Sequence, residues 1–236
     1  MYDVKDITKI ISEFRIKYLP CDGIDNIIKR YYKNEAKSVI KSLESSNSAS
    51  RFIINIKSDE DWKILRSKWL DVLSLKDLLD TSPLLKDKLS TNLTKYINKL
   101  EKIFVKIPDD YDQETNINLV EKLSKHLNNY FKPLIISCHR GVSNPNCSVV
   151  NKNVYNIFIN SAYAYLEKLG LERIIVEVGK RIPDEVINYG GVSYCDNSRK
   201  KNIVSEIECL PFWLFYINDE GEEDCKYIEG EIIAYR

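Results

Sequence analysis

Phe131-Lys-Pro-Leu-Ile-Ile-Ser-Cys-His-Arg-Gly141 is the stretch on which the reading of this chain turns. Three consecutive aliphatic residues, Leu134 to Ile136, stand between a proline and a polar run that ends on glycine. That pattern reads as a short buried strand running into a loop. Outward from it, residues 141–147 read as a loop, 149–169 as a helix closed by Gly170, and 173–178 as a second, β-branched strand. Strand, helix and strand with short connections make a βαβ unit, whose default is a right-handed crossover and parallel strands. On this reading Cys138 and His139 arrive at the carboxyl edge of a sheet, where open α/β layers place their ligand sites.

Upstream the spacing is helical. Residues 3–45 read as two helices broken at Leu19-Pro-Cys-Asp-Gly23, followed by a polar link, Ser45-Ser-Asn-Ser-Ala-Ser50. Arg51-Phe-Ile-Ile-Asn-Ile-Lys57 reads as a strand. Ser58-Asp-Glu-Asp61 has the composition of a helix start, and Trp62, Leu65, Trp69 and Val72 follow at helical spacing. Further helices are expected over about 83–105, with Pro83 in the first turn, and over 115–130. Downstream, Gly190-Gly191 turns the chain, and Pro211-Phe-Trp-Leu-Phe-Tyr216 reads as a central strand buried on both faces. The acidic run 218–224 reads as the exposed tip of a β-hairpin. The fold class is therefore α+β. A mainly α-helical region, 1–130, precedes an α/β region, 131–236, with a mixed sheet and a C-terminal hairpin, and the two can pack as one domain.

Composition narrows the class of function. Of 236 residues 44% are hydrophobic and 30% charged, with formal net charge zero, values of an ordinary globular chain with no global pull toward polyanions. The opening Met-Tyr-Asp-Val-Lys-Asp lacks an apolar core, so no secretory signal is expected, and no apolar run reaches the ~18 residues that span a bilayer. The six cysteines are accordingly expected as free thiols in a cytoplasmic or nuclear protein. One methionine and abundant Ile, Lys, Asn and Tyr point to an AT-rich genome, viral or otherwise.

Four residues carry what chemistry the sequence offers. Cys138 beside His139 and Arg140 has the neighbours of an activated thiol, but adjacent strand residues face opposite ways and cannot form a dyad. Glu177-Val-Gly-Lys180, after an apolar strand, invites comparison with metal-dependent nucleases that place an acid and a lysine on one strand, although its spacing holds one residue too many. His139, Arg140, Glu177 and Lys180 are thus the candidate catalytic set. Arg181, Arg199, Lys200 and Lys201 form a candidate phosphate or nucleic-acid contact. The cysteines lack close pairs and the chain has two histidines, so neither a zinc site nor any other metal or cofactor is expected.

Ile135-Ile-Ser-Cys-His-Arg-Gly141 resembles the opening strand of the glycerophosphodiester phosphodiesterase family, which carries a His-Arg-Gly. The acidic pair on that family's second strand would fall on Val176-Glu-Val178, where only Glu177 matches. Its loop Pro-Glu is here Asn144-Pro-Asn146. The resemblance covers about ten residues and implies a (β/α)₈ barrel, for which the 59 residues after Glu177 are too few.

Two functions follow as expectations. The first is a non-catalytic interaction protein with a protein partner, nucleic acid as a second kind of partner, and no membrane. The alternative is a phosphodiester-directed hydrolase or nuclease using His139, Arg140, Glu177 and Lys180, which requires those side chains to converge.

Overall fold

The structure is a computed structural model that describes residues 52–105, 107–108, 111, 113–196 and 201–236; the expectations for residues 3–50 lie outside it, as do Arg199 and Lys200. The described residues belong to one compact unit, Arg51–Arg236. Helices come first and two three-stranded sheets follow, the α+β order read from the sequence.

Helix α1, Asp59–Leu70, starts at Ser58, whose hydroxyl accepts the Asp61 amide while Asp59, Glu60 and Asp61 occupy the positive end of the dipole. The chain breaks at Asp71 and Val72, then continues as α2, Leu73–Thr81. Ser82 caps α3, Pro83–Ile103, with the proline in the first turn, where a missing amide leaves no bond unmade. Leu85, Leu89, Leu93, Tyr96 and Leu100 of α3 are buried at three- and four-residue intervals, one stripe facing the core.

The next helix overturns the sequence reading. Helix α4, Gln113–His126, passes through a π-turn, Leu127–Phe131, directly into α5, Lys132–Ser143. Residues 134–136 are therefore helical, and the expected βαβ unit does not form. The physical reason lies in the spacing: Phe131, Leu134, Ile135 and Cys138 are all buried, which is the i, i+3, i+4, i+7 stripe of a helix. Pro133 does not end the helix because the wider π-turn sits just ahead of it. There a proline would otherwise clash with the carbonyl four residues back. Gly141 serves packing on α6, Val149–Lys168: a Cβ on it would collide with the Tyr155 ring.

Ser148 caps α6 by accepting the Asn151 amide, and Gly170 ends it at φ 90 with its amide on the Glu167 carbonyl at 2.9 Å, as the sequence implied. The second strand of the sequence reading shrinks to β1, Glu172–Arg173, which pairs antiparallel with Phe212 and Trp213. Ile174 and Val176 still turn inward. The expected parallel pairing with residues 134–136 is replaced by this antiparallel contact.

After the short helix α7, Asp184–Tyr189, come β2, Val192–Cys195, β3, Val204–Cys209, β4, Phe212–Ile217, β5, Glu223–Ile228, and β6, Glu231–Tyr235. One sheet runs β1-β4-β5, and its β4-β5 hairpin matches the expected C-terminal hairpin with its acidic turn. Ile54 adds a single parallel bridge to Tyr216, so the strand expected over 51–57 contributes one rung. The other sheet, β2-β6-β3, is mixed: β2 is parallel and β3 antiparallel to β6.

Strand β4 lies between two cores. Phe212 and Leu214 enter the main one, shared by α1 to α6, while Trp213 packs on a smaller one of Ile174, Val176, Ile182, Val186, Val204, Tyr227, Ile232 and Ala234. The main core runs without a break through Phe131, Leu134 and Ile135.

Candidate functional site

His139 and Arg140 lie on the polar side of α5, against the β2-β6-β3 sheet. The alternation Glu206-Ile-Glu208 on β3 sends Ile207 toward the smaller core and both carboxylates toward the helix. Arg140 donates from Nε to Glu208 Oε1 at 3.0 Å and from Nη2 to Oε2 at 3.2 Å, a two-point pair. One turn on, Ser143 Oγ donates to Glu206 Oε1 at 3.1 Å. At the start of the helix, Lys132 Nζ sits 3.1 Å from Glu231 and 3.8 Å from Glu229. A seam of charge thus joins α5 to β3 and β6.

His139 is half-buried in this seam, and its Nε2 is buried without a partner. Burial pushes its pKa down, while the carboxylates of Glu208 and Glu206 pull it back up. Next to it, Cys138 is fully buried and burial pushes its thiol up to about 12, so it holds its proton at neutral pH. Cys209 is likewise pushed up to about 12, chiefly by burial. Among the described residues the cysteines Cys138, Cys147, Cys195, Cys209 and Cys225 form no disulfide.

Glu177 and Lys180 belong to a different place. They close a turn in which the Lys180 amide donates to the Glu177 carbonyl at 3.1 Å. That turn docks on the start of β3: Gly179 donates to the Val204 carbonyl at 2.9 Å, Val204 donates to the Lys180 carbonyl at 2.8 Å, and Arg181 bridges Ile203. From Val204 to Glu208 is four residues of strand, about 13 Å. The candidate catalytic set therefore divides into His139 with Arg140 at the seam, and Glu177 with Lys180 at the opposite end of β3. Lys201 joins the second group through its neighbour Asn202, which accepts the Ile182 amide. The resemblance to a barrel strand is likewise overturned, since its His-Arg-Gly lies inside a helix and its glycine makes room for Tyr155.

Sequence reasoning missed Lys132, Ser143, Glu206, Glu208 and Glu231. The alternating acids of β3 were the available signal, with Glu208 falling to Arg140 and Glu206 to Ser143 once 131–143 is drawn as a helix. No group of three or more His, Cys, Asp or Glu side chains able to hold a metal occurs among the described residues. None of their helices is long and apolar enough to cross a membrane. A separate open groove of about 530 Å³ is lined by Asn55, Ile56, Lys57, Tyr111, Asn116, Ile217 and Gly221, and in it the buried Asn116 accepts the Ile56 amide at 2.9 Å.

Comparison with known proteins gives no match: no family model, no curated protein and no solved structure matches this chain.

Proposed function

We propose that this chain is a non-catalytic binding protein of the cytoplasm or nucleus that acts through its surface on a macromolecular partner. The observation that carries the reading is the two-point pair between Arg140 and Glu208, which commits the guanidinium a phosphodiesterase would need for its substrate. The neighbouring groups agree with it. The Cys138 thiol is buried and protonated, and the free nitrogen of His139 faces protein rather than solvent. Most of α5 is thereby devoted to holding the sheet against the helices.

The test is turnover. The full chain, incubated with bis-p-nitrophenyl phosphate and with single-stranded oligonucleotides, with and without magnesium or manganese, should release product no faster than buffer. Turnover that disappears in both His139→Ala and Glu177→Gln, with unchanged thermal melts, would replace this reading by that of a phosphodiester hydrolase or nuclease.

A further inference from the structure

We infer that the end of the β2-β6-β3 sheet formed by the start of β3 and the finish of β6 binds single-stranded nucleic acid along its phosphates. This deepens the binding-protein reading and rests on it. The backbone pairing gathers the cations. Lys180 and Arg181 lie on the segment that pairs with Ile203 and Val204, and the Asn202 amide, next to Lys201, donates to the Tyr235 carbonyl at 2.8 Å. The Arg236 amide then donates to the Cys195 carbonyl at 2.8 Å, which ties the end of β6 to the end of β2.

Four adjacent lanes of backbone therefore end together, and three of them carry an exposed cation: Lys180 and Arg181, Lys201, and Arg236. Lanes lie about 4.8 Å apart, so cations on three neighbouring lanes span roughly 10 Å, more than a single phosphate covers. Among the described residues none of these four is held in an ion pair, whereas Lys132, Arg140, Lys168, Arg173 and Lys226 each are. Glu177, Asp184, Glu185 and Asp196 lie within five residues of these cations in the chain.

The kind of polyanion follows from what surrounds the charges. Tyr194 at the end of β2 is 47% exposed and offers an aromatic face on which a base can stack. Net charge is zero over the whole chain, so attraction has to come from this local cluster rather than from the protein's overall field.

The experiment is fluorescence anisotropy of the full chain with a labelled deoxythymidine oligomer of about 20 nucleotides, longer than the ~4–16 nucleotides a small sheet domain covers. Four phosphate contacts predict a loss of roughly fifty-fold in affinity between about 50 and 200 mM salt. Lys180→Glu with Arg181→Glu should weaken binding at least roughly tenfold and flatten that salt dependence. Lys201→Gln with Arg236→Gln is the milder pair should the first disturb folding. Lys86→Glu with Lys88→Glu makes the same charge change on α3, and should leave affinity unchanged. Equal losses in the α3 control, no binding at low salt, or binding to phosphatidylserine vesicles but not to the oligomer would each overturn the inference. A gel of the recovered oligomer separates the two claims. Shortened product would sink the non-catalytic reading, yet the binding site would stand if the charge variants still lose affinity.

Discussion

The chain's two histidines sit in contrasting parts of the molecule. His126 is 4% exposed in the main core, stacked on Tyr96 with ring centroids 4.6 Å apart and followed by Tyr130 at 5.2 Å. Its neighbours are polar but uncharged. The Tyr96 and Tyr165 hydroxyls meet at 3.2 Å, and Tyr165 donates onward to the Trp69 carbonyl at 2.5 Å. His139 lies in the seam beside Glu206 and Glu208. Burial disfavours the charged form of both rings, but in the seam carboxylates oppose it. The difference teaches where this fold can carry charge. The helical core excludes it, whereas the contact between α5 and the second sheet is built from it.

The largest effect that would sharpen this contrast is acid destabilisation through His126. Burial pushes its pKa down to about 4 from an ordinary 6.5. A group whose folded pKa is depressed binds its proton more readily when unfolded. Its contribution is therefore complete above pH 6.5, falls as pH drops, and is gone below about 4. The shift corresponds to roughly 3 kcal/mol. Urea unfolding of the wild type and of His126→Phe, which keeps a stacked ring but cannot titrate, should diverge across that window. Parallel pH profiles for the two proteins would show that the core tolerates an imidazolium and would erase the contrast.

How much of this was legible in the sequence depends on whether a local pattern had one reading or two. Ser58, Pro83 and Gly170 announced helix ends because each acts through its own backbone or the next turn. The aromatic run 211–216 was rightly placed as a central strand, since few other arrangements bury Phe212, Leu214 and Phe215 together. Leu134-Ile-Ile136 failed because three aliphatic residues in a row suit a strand or a helix equally. The wider stripe from Phe131 to Cys138, with Val142 packed against the same core, held the answer, but Pro133 disguised it. The seam could not be read until that helix was known, because the partners of Lys132 and Arg140 lie 68 or more residues away on strands whose register is set by tertiary packing.

Gly141 tests the corrected reading at the next scale of effect. On an exposed helix, Gly→Ala stabilises by about 1 kcal/mol. Here the added methyl would meet the ring of Tyr155, which is 7% exposed and has nowhere to retreat. Overpacking of that kind costs about 1–3 kcal/mol, so Gly141→Ala should lower the urea midpoint. Adding Tyr155→Leu should recover part of the loss in a double-mutant cycle. A stabilised Gly141→Ala would mean that α5 and α6 do not approach at this point.

The smallest effects divide the seam itself. Lys132 is 15% exposed at its side chain and stands between two carboxylates, while Arg140 is 68% exposed over a single one. Partly buried pairs escape solvent screening and exposed ones do not. Lys132→Ala should cost about 1–2 kcal/mol, between the ranges for exposed and buried pairs. That loss should persist when salt rises to about 1 M, where the screening length falls to about 3 Å. Arg140→Ala should move the urea midpoint only slightly at low salt and not at all at high salt. Losses of equal size that both vanish in salt would reduce the seam to surface attraction. A salt-resistant loss at Lys132 alone would place the anchor of the second sheet at the first turn of α5, leaving Arg140 to keep Glu208 satisfied at the rim.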